Sequence, residues 1–261
     1  MNKESIATTV RAVAPWRKIA SFQWLASVFY TTILFLDSVV FGFVIVLFGW
    51  LPFRKLYGFA RAWAGLNVWL AKTICGLDWR VEGREHMPRE GAHISMWKHT
   101  STWETMAQMI VFPPQAWVLK REILWIPLVG WACWLLKCIA IDRGAGHRAV
   151  NQVLDQGRER LAAGIWVLIF PEGTRMAPGE TRKYGMSGSL LASQSGAKLV
   201  PVAHNAGDLW PRRGLVKKPG LIRVVIGPPI ETAGRDPREL NSEVQQWIEG
   251  TMDSLDGVKA G

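Results

Sequence analysis

Hydrophobic positions divide the chain into two regions of different pattern. Residues Phe22–Leu51 form a nearly unbroken apolar segment whose only charged residue is Asp37. A membrane-spanning helix needs about 20 apolar residues, so the segment is long enough to enter a bilayer. The segment begins too far from the N-terminus and is too long for a signal peptide, and no cleavage site follows it. We expect it to anchor the chain in a membrane; the alternative is a core helix of a soluble protein.

The position of Asp37 near the middle of this segment leaves two geometries. A carboxylate at the bilayer centre costs about 2.5–3.5 kcal/mol on insertion scales. The segment therefore either turns back near Asp37 within one leaflet, or spans with Asp37 shielded by the next helix. Residues Leu56–Cys75 have the amphipathic pattern of such a helix. Basic residues on both sides leave the topology open; they are Arg11, Arg17, Lys18, Arg54, Lys55 and Arg61.

After Gly76, short apolar runs alternate with longer amphipathic stretches, which predicts an α/β sheet covered by helices. We therefore divide the chain into membrane-anchoring helices, residues 1–75, and an α/β domain, residues 76–261. Gly207–Gly220 is expected to be a basic surface loop and Leu255–Gly261 a frayed tail. The predicted strands are Asp78–Val81, Ala92–Trp97, Gln115–Leu119, Cys138–Ile141, Ile165–Phe170, Leu199–Ala203 and Leu221–Ile226. The predicted helices are Thr102–Val111, Leu128–Leu136, Gly146–Ala162, Met186–Ser195 and Pro237–Leu255.

Composition narrows the class of partner. The net charge of the 261 residues is +10, which favours an anionic partner: nucleic acid, a membrane surface or an acidic substrate. The 15 tryptophans favour a membrane interface. The cations do not fall on one recognisable reading element, so no nucleic-acid partner is expected. Cys75, Cys133 and Cys138 form no C-x-x-C motif and predict neither a disulfide framework nor a zinc site.

The segment Lys98–Met106, KHTSTWETM, carries the first candidate for chemistry. His99 follows a predicted strand at its carboxyl end, where α/β proteins form ligand sites. Ser101 and Glu104 have the spacing of a capping box, in which Ser101 caps the helix and Glu104 bonds back to it. That interpretation explains Glu104 without catalysis. Alternatively, Glu104 fixes the tautomer of His99 and leaves its other ring nitrogen as a general base.

Three further segments follow or interrupt predicted strands. In Phe170–Arg175, FPEGTR, glycine admits close backbone approach and arginine can bind a phosphate through two hydrogen bonds. Lys120–Trp131 places two cations before a Pro-x-x-Gly break, and the proline of Leu199–Asn205 predicts a strand edge or bulge. His204, in the last of these segments, is interpreted as structural. Taken alone, the first segment is best explained as a surface turn after a strand, and the alternative for the second is a solvated charge pair.

Together these segments resemble the 1-acylglycerol-3-phosphate acyltransferase family, the lysophosphatidic acid acyltransferases. Four family blocks occur in the family's order within residues 77–230. The H-x-x-x-x-D block is matched with glutamate in place of aspartate, which adds one methylene and keeps the carboxylate. The matching residues are His99 and Glu104; Lys120, Pro127 and Gly130; Phe170–Arg175; and Val200, Pro201 and Val202, with Ile141–Arg143 also similar to the family.

The resemblance implies a mixed, mostly parallel α/β sheet flanked by helices, preceded by the hydrophobic anchor. It implies that His99, oriented by Glu104, takes the proton of the free hydroxyl of 1-acylglycerol-3-phosphate. That oxygen would attack the thioester of acyl-CoA or acyl carrier protein and form phosphatidic acid. The acyl carrier is then a substrate, and neither a cofactor nor a metal is implied. The expected location is the bacterial inner membrane, with the catalytic domain on the cytoplasmic side.

The same resemblance assigns the remaining site residues. Arg175 would bind the acceptor phosphate, Lys120 and Arg143 would add charge, and Glu172 and Gly173 would shape the site. The other matched residues, Pro127, Gly130 and Pro201, belong to the acyl-binding or structural part of the motif.

Two alternatives remain at the level of sequence. A different acceptor, such as another lysophospholipid or an acylated amino-acid lipid, is kept open by Gly185, because family members often carry a lysine there; Lys183 is the available substitute. The other alternative is a non-enzymatic, membrane-anchored lipid-binding protein. The pair of His99 and Glu104 argues against it, since a binding module needs the arginine but no base.

Overall fold

The computed structural model describes residues 15–256. Arg11 and residues 257–261 of the predicted tail lie outside the described residues. A short 3-10 helix, Pro15–Lys18, leads into α1, Ala20–Leu47, and α2 follows at Phe53–Leu70 with a π-helical extension at Ala71–Cys75. The two helices are antiparallel.

Helix α1 continues without interruption through Asp37, so a reversal at that residue is ruled out. The chain reverses instead at residues 48–52, because the helix-breaking residues Gly49 and Pro52 lie there. Asp37 accepts hydrogen bonds from Trp63 Nε1 at 2.9 Å and from Asn67 Nδ2 at 3.2 Å, both on α2. Helix α2 therefore shields the carboxylate, as the second of the two predicted geometries requires.

Seven strands form one sheet in which β6 and β7 are antiparallel and every other neighbouring pair is parallel. The predicted mixed, mostly parallel sheet is thus confirmed. The order across the sheet is β1-β7-β6-β2-β5-β3-β4. The strands are β1, Leu77–Glu82; β2, Ile94–Trp97; β3, Gln115–Lys120; β4, Ile139–Ile141; β5, Trp166–Ile169; β6, Leu199–His204; and β7, Gly220–Ile226.

Helices cover both faces of the sheet, and each face has its own hydrophobic core. One core joins the sheet to α2, α3 and α4, and the other joins it to α5, α6 and α8. Helix α2 thus contributes directly to the core of the α/β region. The remaining helices are α3, Trp103–Val111; α4, Val129–Leu135; α5, His147–Ala162; α6, Ser187–Ser195; α7, Ala206–Leu209; and α8, Pro237–Asp256.

Beyond Gly76, each predicted element is present with bounds within two residues of those expected. Three short helices in this region were not predicted: α7, which overlaps the start of the expected Gly207–Gly220 loop, and the 3-10 helices Arg84–His86 and Arg121–Trp125. Short loops join β2 to α3 and β5 to the segment that precedes α6. Both loops therefore lie at the carboxyl edge of the parallel strands.

Gly130 occupies a position in α4 that no larger residue fits. A Cβ atom there would lie 2.1 Å from the Leu124 carbonyl oxygen and 2.4 Å from its carbonyl carbon. The adjacent Leu128 has a positive φ of 63°, so the Pro127–Gly130 turn is already tight.

Substituting alanine for Gly130 should therefore force a backbone shift and cost about 1–3 kcal/mol of stability, as overpacking does. The measurement is the thermal midpoint of the purified chain in detergent. Gly250→Ala is the control: Gly250 lies in α8 with open space around it, and alanine should stabilise that helix by up to ~1 kcal/mol. An unchanged midpoint for Gly130→Ala would contradict the close packing at Leu124.

Candidate active site

The candidate residues lie at the carboxyl edge of the sheet. His99 follows the central strand β2, whose neighbours are β5 and β6. Phe170–Arg175 follows β5, and His204 is the last residue of β6. Because neighbouring parallel strands end at the same edge, the two principal motifs are brought side by side. The Met176 N–H donates to the His99 carbonyl at 2.7 Å and ties the two loops together.

The ring of His99 is hydrogen-bonded to Glu104, as the catalytic interpretation of the sequence requires. His99 Nδ1 lies 2.9 Å from Glu104 Oε1. The Glu104 side chain is fully buried, and the His99 side chain retains 12% of its exposure. An ionised Glu104 accepts the Nδ1 proton, which leaves Nε2 as the basic nitrogen of the neutral imidazole.

Glu104 also organises the start of α3, so it makes the contacts that both interpretations of the sequence expect. Oε1 accepts the backbone N–H groups of Thr100 at 3.0 Å and Ser101 at 2.9 Å. The expected cap is shifted by one residue, because α3 begins at Trp103 with Thr102 at the N-cap. The Ser101 hydroxyl accepts the Trp103 N–H at 3.1 Å instead. One carboxylate oxygen therefore holds both the helix start and the imidazole.

Glu104 remains ionised despite its burial. Burial opposes the charged form, but the hydrogen bond from His99, the electrostatic influence of His204 and His99, and the backbone N–H of Ser101 act against it, so the pKa of Glu104 lies below its ordinary value. A second contact fixes the plane of the imidazole: Phe170 stacks on His99 with ring centroids 3.9 Å apart and an interplanar angle of 18°. The imidazole ring of His99 is thus held from its edge by Glu104 and from its face by Phe170.

A buried charge cluster supports the backbone under His99. Lys98 is 2% exposed, and its Nζ lies 2.9 Å from both carboxylate oxygens of Glu249 on α8 and 3.4 Å from Glu172 Oε1. The Tyr184 hydroxyl donates to Glu249 at 2.5 Å. Glu172 in turn lies 3.4 Å from the His99 N–H. The cluster therefore connects the two loops of the site to α8.

Glu172 is thus inside the protein, beneath the site. Its side chain has no exposed surface, and burial raises its pKa to about 7 although Lys98 opposes the shift. From this position it acts on the site through the His99 backbone. Its predicted part in shaping a phosphate site is indirect in this geometry and remains a prediction.

His204 is a structural residue in this arrangement. It is fully buried, and burial lowers its pKa. Its Nε2 lies 2.8 Å from the Lys98 carbonyl oxygen, and its Nδ1 accepts the Ala206 N–H at 3.3 Å. These partners require a neutral ring with the proton on Nε2, which fixes the backbone just before His99.

The predicted phosphate-binding cations are distributed along the same edge. Arg175 is partly buried, and no ion pair involving its side chain occurs among residues 15–256; its Nε atom is buried without a hydrogen-bond partner there. Lys120 ends β3 and pairs with Glu122 at 3.0 Å. Arg143 is exposed beyond β4. Because β3 lies two strands from β2, Lys120 is about 10 Å along the edge from His99.

The remaining motif residues near the site, Gly173 and Pro201, are described by their backbone conformation and pairing. Gly173 has a φ of 69° and open space around its Cα, as a left-handed turn requires. Pro201 pairs with Met96 of β2, and β6 is an inner strand, so the predicted strand edge is wrong. The pairing of β6 with β7 begins only at Val202, which leaves Pro201 where that ladder is interrupted. The Gly185 N–H donates to the Pro171 carbonyl at 2.8 Å, placing the segment before α6 against FPEGTR.

The loop between α7 and β7, within the predicted Gly207–Gly220 loop, links this site to α1 through contacts that sequence reasoning did not identify. Arg212 donates to the Arg175 carbonyl oxygen. The Lys217 N–H donates to Ser27 Oγ at 2.9 Å, and its ammonium group lies 4.6 Å from the Trp210 ring centroid. The partners are distant in the chain, so no local pattern marked them. The backbone of Arg175 is thereby connected to the apolar helix α1.

Comparisons with known proteins identify the family of the chain. Residues 78–205 match the Acyltransferase family model. A 1-acyl-sn-glycerol-3-phosphate acyltransferase of Pseudomonas aeruginosa is 43% identical over 213 residues, 80% of this chain and 82% of the relative. The enzyme of that name from Limnanthes alba is 29% identical over 88% of this chain and 83% of its own. The crystal structure of the 1-acyl-sn-glycerophosphate (LPA) acyltransferase PlsC from Thermotoga maritima shares the fold, with a TM-score of 0.74, 20% identity, and coverage of 89% of this chain and 95% of that one.

Fold, site and family model together define an α/β acyltransferase. The chain belongs to the 1-acyl-sn-glycerol-3-phosphate acyltransferase family, since its identity to the bacterial relative extends over most of both proteins. A non-enzymatic lipid-binding protein is therefore set aside.

The raised pKa of Glu172 predicts a specific pH dependence of stability. Its pKa rises from the ordinary 4.5 to about 7 on folding, so the folded state retains a proton that the unfolded state releases between these values. Its contribution to stability is full below pH 4.5 and is lost as the pH rises toward 7, at no more than about 1.4 kcal/mol per pH unit.

Because glutamine does not titrate, the stability of Glu172→Gln relative to the native chain should increase across this window and then level off. Thermal midpoints of both proteins from pH 4.5 to pH 8 test this expectation. Glu239→Gln, an exposed position on α8, is the control and should show no such trend. Parallel midpoint curves for Glu172→Gln and the native chain would contradict a buried, proton-retaining Glu172.

Proposed function

We propose that the protein transfers a fatty acyl group from acyl-CoA or acyl carrier protein to the free hydroxyl of 1-acylglycerol-3-phosphate, forming phosphatidic acid in phospholipid biosynthesis. The hydrogen bond between His99 Nδ1 and the buried Glu104 carries the proposal. It supports a base with one free ring nitrogen and a carboxylate that stabilises the imidazolium formed during the reaction. The names of the relatives support the choice of acceptor.

In the proposed mechanism, His99 Nε2 takes the proton of the acceptor hydroxyl as its oxygen attacks the thioester carbonyl. Glu104 stabilises the resulting positive charge on the ring, and His99 then returns the proton to the departing thiolate. The bond to oxygen forms and the bond to sulfur breaks, so the acyl group moves without an acyl-enzyme. The thioester is already activated, and the reaction therefore needs no cofactor.

Arg175 is the proposed ligand of the acceptor phosphate. A partly buried guanidinium with no ion-pair partner among the described side chains supplies charge for a phosphate. Lys120 and Arg143 would add positive potential further along the edge. Lys120 is already paired with Glu122, so we assign it the smaller share of affinity.

The geometry of α1 supports membrane association along one leaflet. Within residues 15–256, only α1 is long and apolar enough to cross a bilayer. At 28 residues it is about 42 Å long, more than the roughly 30 Å hydrocarbon core. Its inner face is buried from Ala26 to Ile45, whereas outward residues such as Phe35 are up to 70% exposed. Upright insertion would immerse the adjoining α/β region, so we propose that α1 lies flat with its outer face in lipid.

The proposed location is the inner membrane of a bacterium, with the active-site edge on the cytoplasmic side, where acyl donors are available. The basic surface would favour an anionic leaflet by about 1 kcal/mol per cation near it. It also suits an acidic carrier protein as well as the phosphates of coenzyme A.

In the direct test, the purified protein is reconstituted in vesicles and is given a labelled donor, either acyl-CoA or acyl carrier protein, together with a panel of lysophospholipids. Phosphatidic acid formed from 1-acylglycerol-3-phosphate is the expected product, and donor turnover identifies the preferred carrier. A clear preference for another lysolipid would support the alternative acceptor that Gly185 leaves open. No acyl transfer to any lysolipid with either donor would refute the function.

His99→Ala should lower turnover by about a hundredfold or more, the usual contribution of a positioned base, while the fold is retained. Turnover at saturating substrates and the thermal midpoint are measured together. His147→Ala is the matched control, because His147 is exposed at the start of α5, and it should behave like the native chain. Near-native turnover in His99→Ala would remove this residue from the mechanism.

Arg175→Lys should raise the KM for the acceptor, because lysine keeps the charge but loses the two-pronged geometry. The KM for the acyl donor should change little. Arg238→Lys, an exposed position on α8, controls for the substitution itself. A defect confined to the donor would reverse the assignment of the two substrate sites.

A further inference from the structure

A cavity lined by basic residues lies at the edge of the sheet opposite to the edge that carries His99. It has a volume of about 400 Å³, and its walls include the residues that precede β2, β3 and β5. Three cations line it, Arg54, Arg89 and Lys137, and none of its lining residues is acidic. No ion pair within residues 15–256 includes any of these three side chains. The length of the four-residue strand β2, about 13 Å, separates this cavity from the active-site edge.

The walls of this cavity are rigid. Four prolines line it, Pro52, Pro88, Pro113 and Pro114, and each fixes its own φ. Trp166 donates its indole N–H to the Gly91 carbonyl oxygen at 3.2 Å, joining two walls. Three like charges are therefore gathered in a preformed concavity, an arrangement that an anion would stabilise.

Two exposed tryptophans place the cavity beside the apolar surface of the molecule. Trp50, in the turn after α1, is 73% exposed, and Trp134, at the end of α4, is 71% exposed. The turns that carry them are in contact, since a Cβ on Gly49 would lie 3.2 Å from the Leu135 side chain. Arg54 follows Trp50 by four residues and Lys137 follows Trp134 by three. Tryptophan beside cations is the arrangement found where a protein meets lipid headgroups.

The backbone of Lys137 is strained at this position. Its φ is 57°, in the left-handed region where glycine is the favoured residue at a helix end. Its N–H donates to the Trp134 carbonyl, and its own carbonyl accepts from Arg160 Nε, both at 2.9 Å. Glycine would relieve this strain at position 137. The presence of lysine instead indicates that its side chain has a function.

We propose that this cavity binds the phosphate headgroup of an anionic bilayer phospholipid, with Arg54, Arg89 and Lys137 as ligands and Trp50 and Trp134 at the acyl-chain boundary. The site is separate from the catalytic one. It would fix the orientation of the protein on the membrane at the end of α1 far from His99.

The test measures binding of short-chain phosphatidylglycerol to the full chain in nonionic detergent, with short-chain phosphatidylcholine and inorganic phosphate as the other ligands. Phosphatidylglycerol is used because it is not the proposed product. Substituting glutamine for all three cations should weaken its binding roughly a hundredfold, as expected for the loss of three cations near an anionic lipid. The matched control, Arg148→Gln with Arg158→Gln and Arg238→Gln, removes three exposed charges from α5 and α8 and should bind within about twofold of the native chain.

Lys137→Gly gives a second readout that a merely structural lysine would not produce. It should raise the thermal midpoint by relieving the left-handed strain and should also weaken phosphatidylglycerol binding. Equal loss in both triple variants would show that only overall charge matters, and full competition by inorganic phosphate would indicate a soluble anion as ligand. Either result, or unchanged binding in the cavity variant, overturns the proposal. Since binding needs no turnover, the outcome is independent of the catalytic assay.

Discussion

One carboxylate oxygen, Oε1 of Glu104, carries the interaction on which the site depends. It accepts the Nδ1 proton of His99 together with two backbone N–H groups at the start of α3. Complete burial would ordinarily favour the neutral acid, but the contacts with His99 and Ser101 and the nearby ring of His204 lower the pKa of the group below its ordinary value. The requirements of the helix and of the base are thereby met by the same buried charge. The conformation of the loop around His99 and the orientation of its imidazole ring therefore depend on the same contacts.

The support for this interaction comes from distant parts of the chain. Lys98 joins Glu172 of the FPEGTR loop to Glu249 of α8, so the charge cluster fixes the residue preceding the base. On the other side, Arg212 and Lys217 connect Arg175 to α1. The catalytic edge is therefore attached both to the helical layer behind the sheet and to the helix that we place in the membrane.

Sequence patterns were sufficient for the elements and for the motif residues. Apolar runs of strand length and amphipathic stretches marked the sheet and its helices, and the strand-end positions of His99 and FPEGTR brought these motifs together. Features that depend on contacts between residues distant in the chain could not be predicted from the sequence. The pairing of Lys98 with Glu249 joins residues 151 positions apart, and no local pattern distinguishes that lysine from an exposed one. The sequence left two positions for Asp37, a reversal at that residue or shielding by the next helix, and only the contacts with Trp63 and Asn67 decide between them.

The most direct test of the account separates the two roles of Glu104 by comparing Glu104→Gln with Glu104→Asp. Glutamine keeps an oxygen acceptor for the helix start but carries no charge for the imidazolium. Turnover in Glu104→Gln should fall by about a hundredfold or more, and the stability loss should stay within about 1 kcal/mol, as for a cap substitution. Glu104→Asp should recover part of the activity, because it restores a carboxylate at a slightly shorter reach. Full turnover in Glu104→Gln would show that the glutamate serves only the helix and would contradict the account.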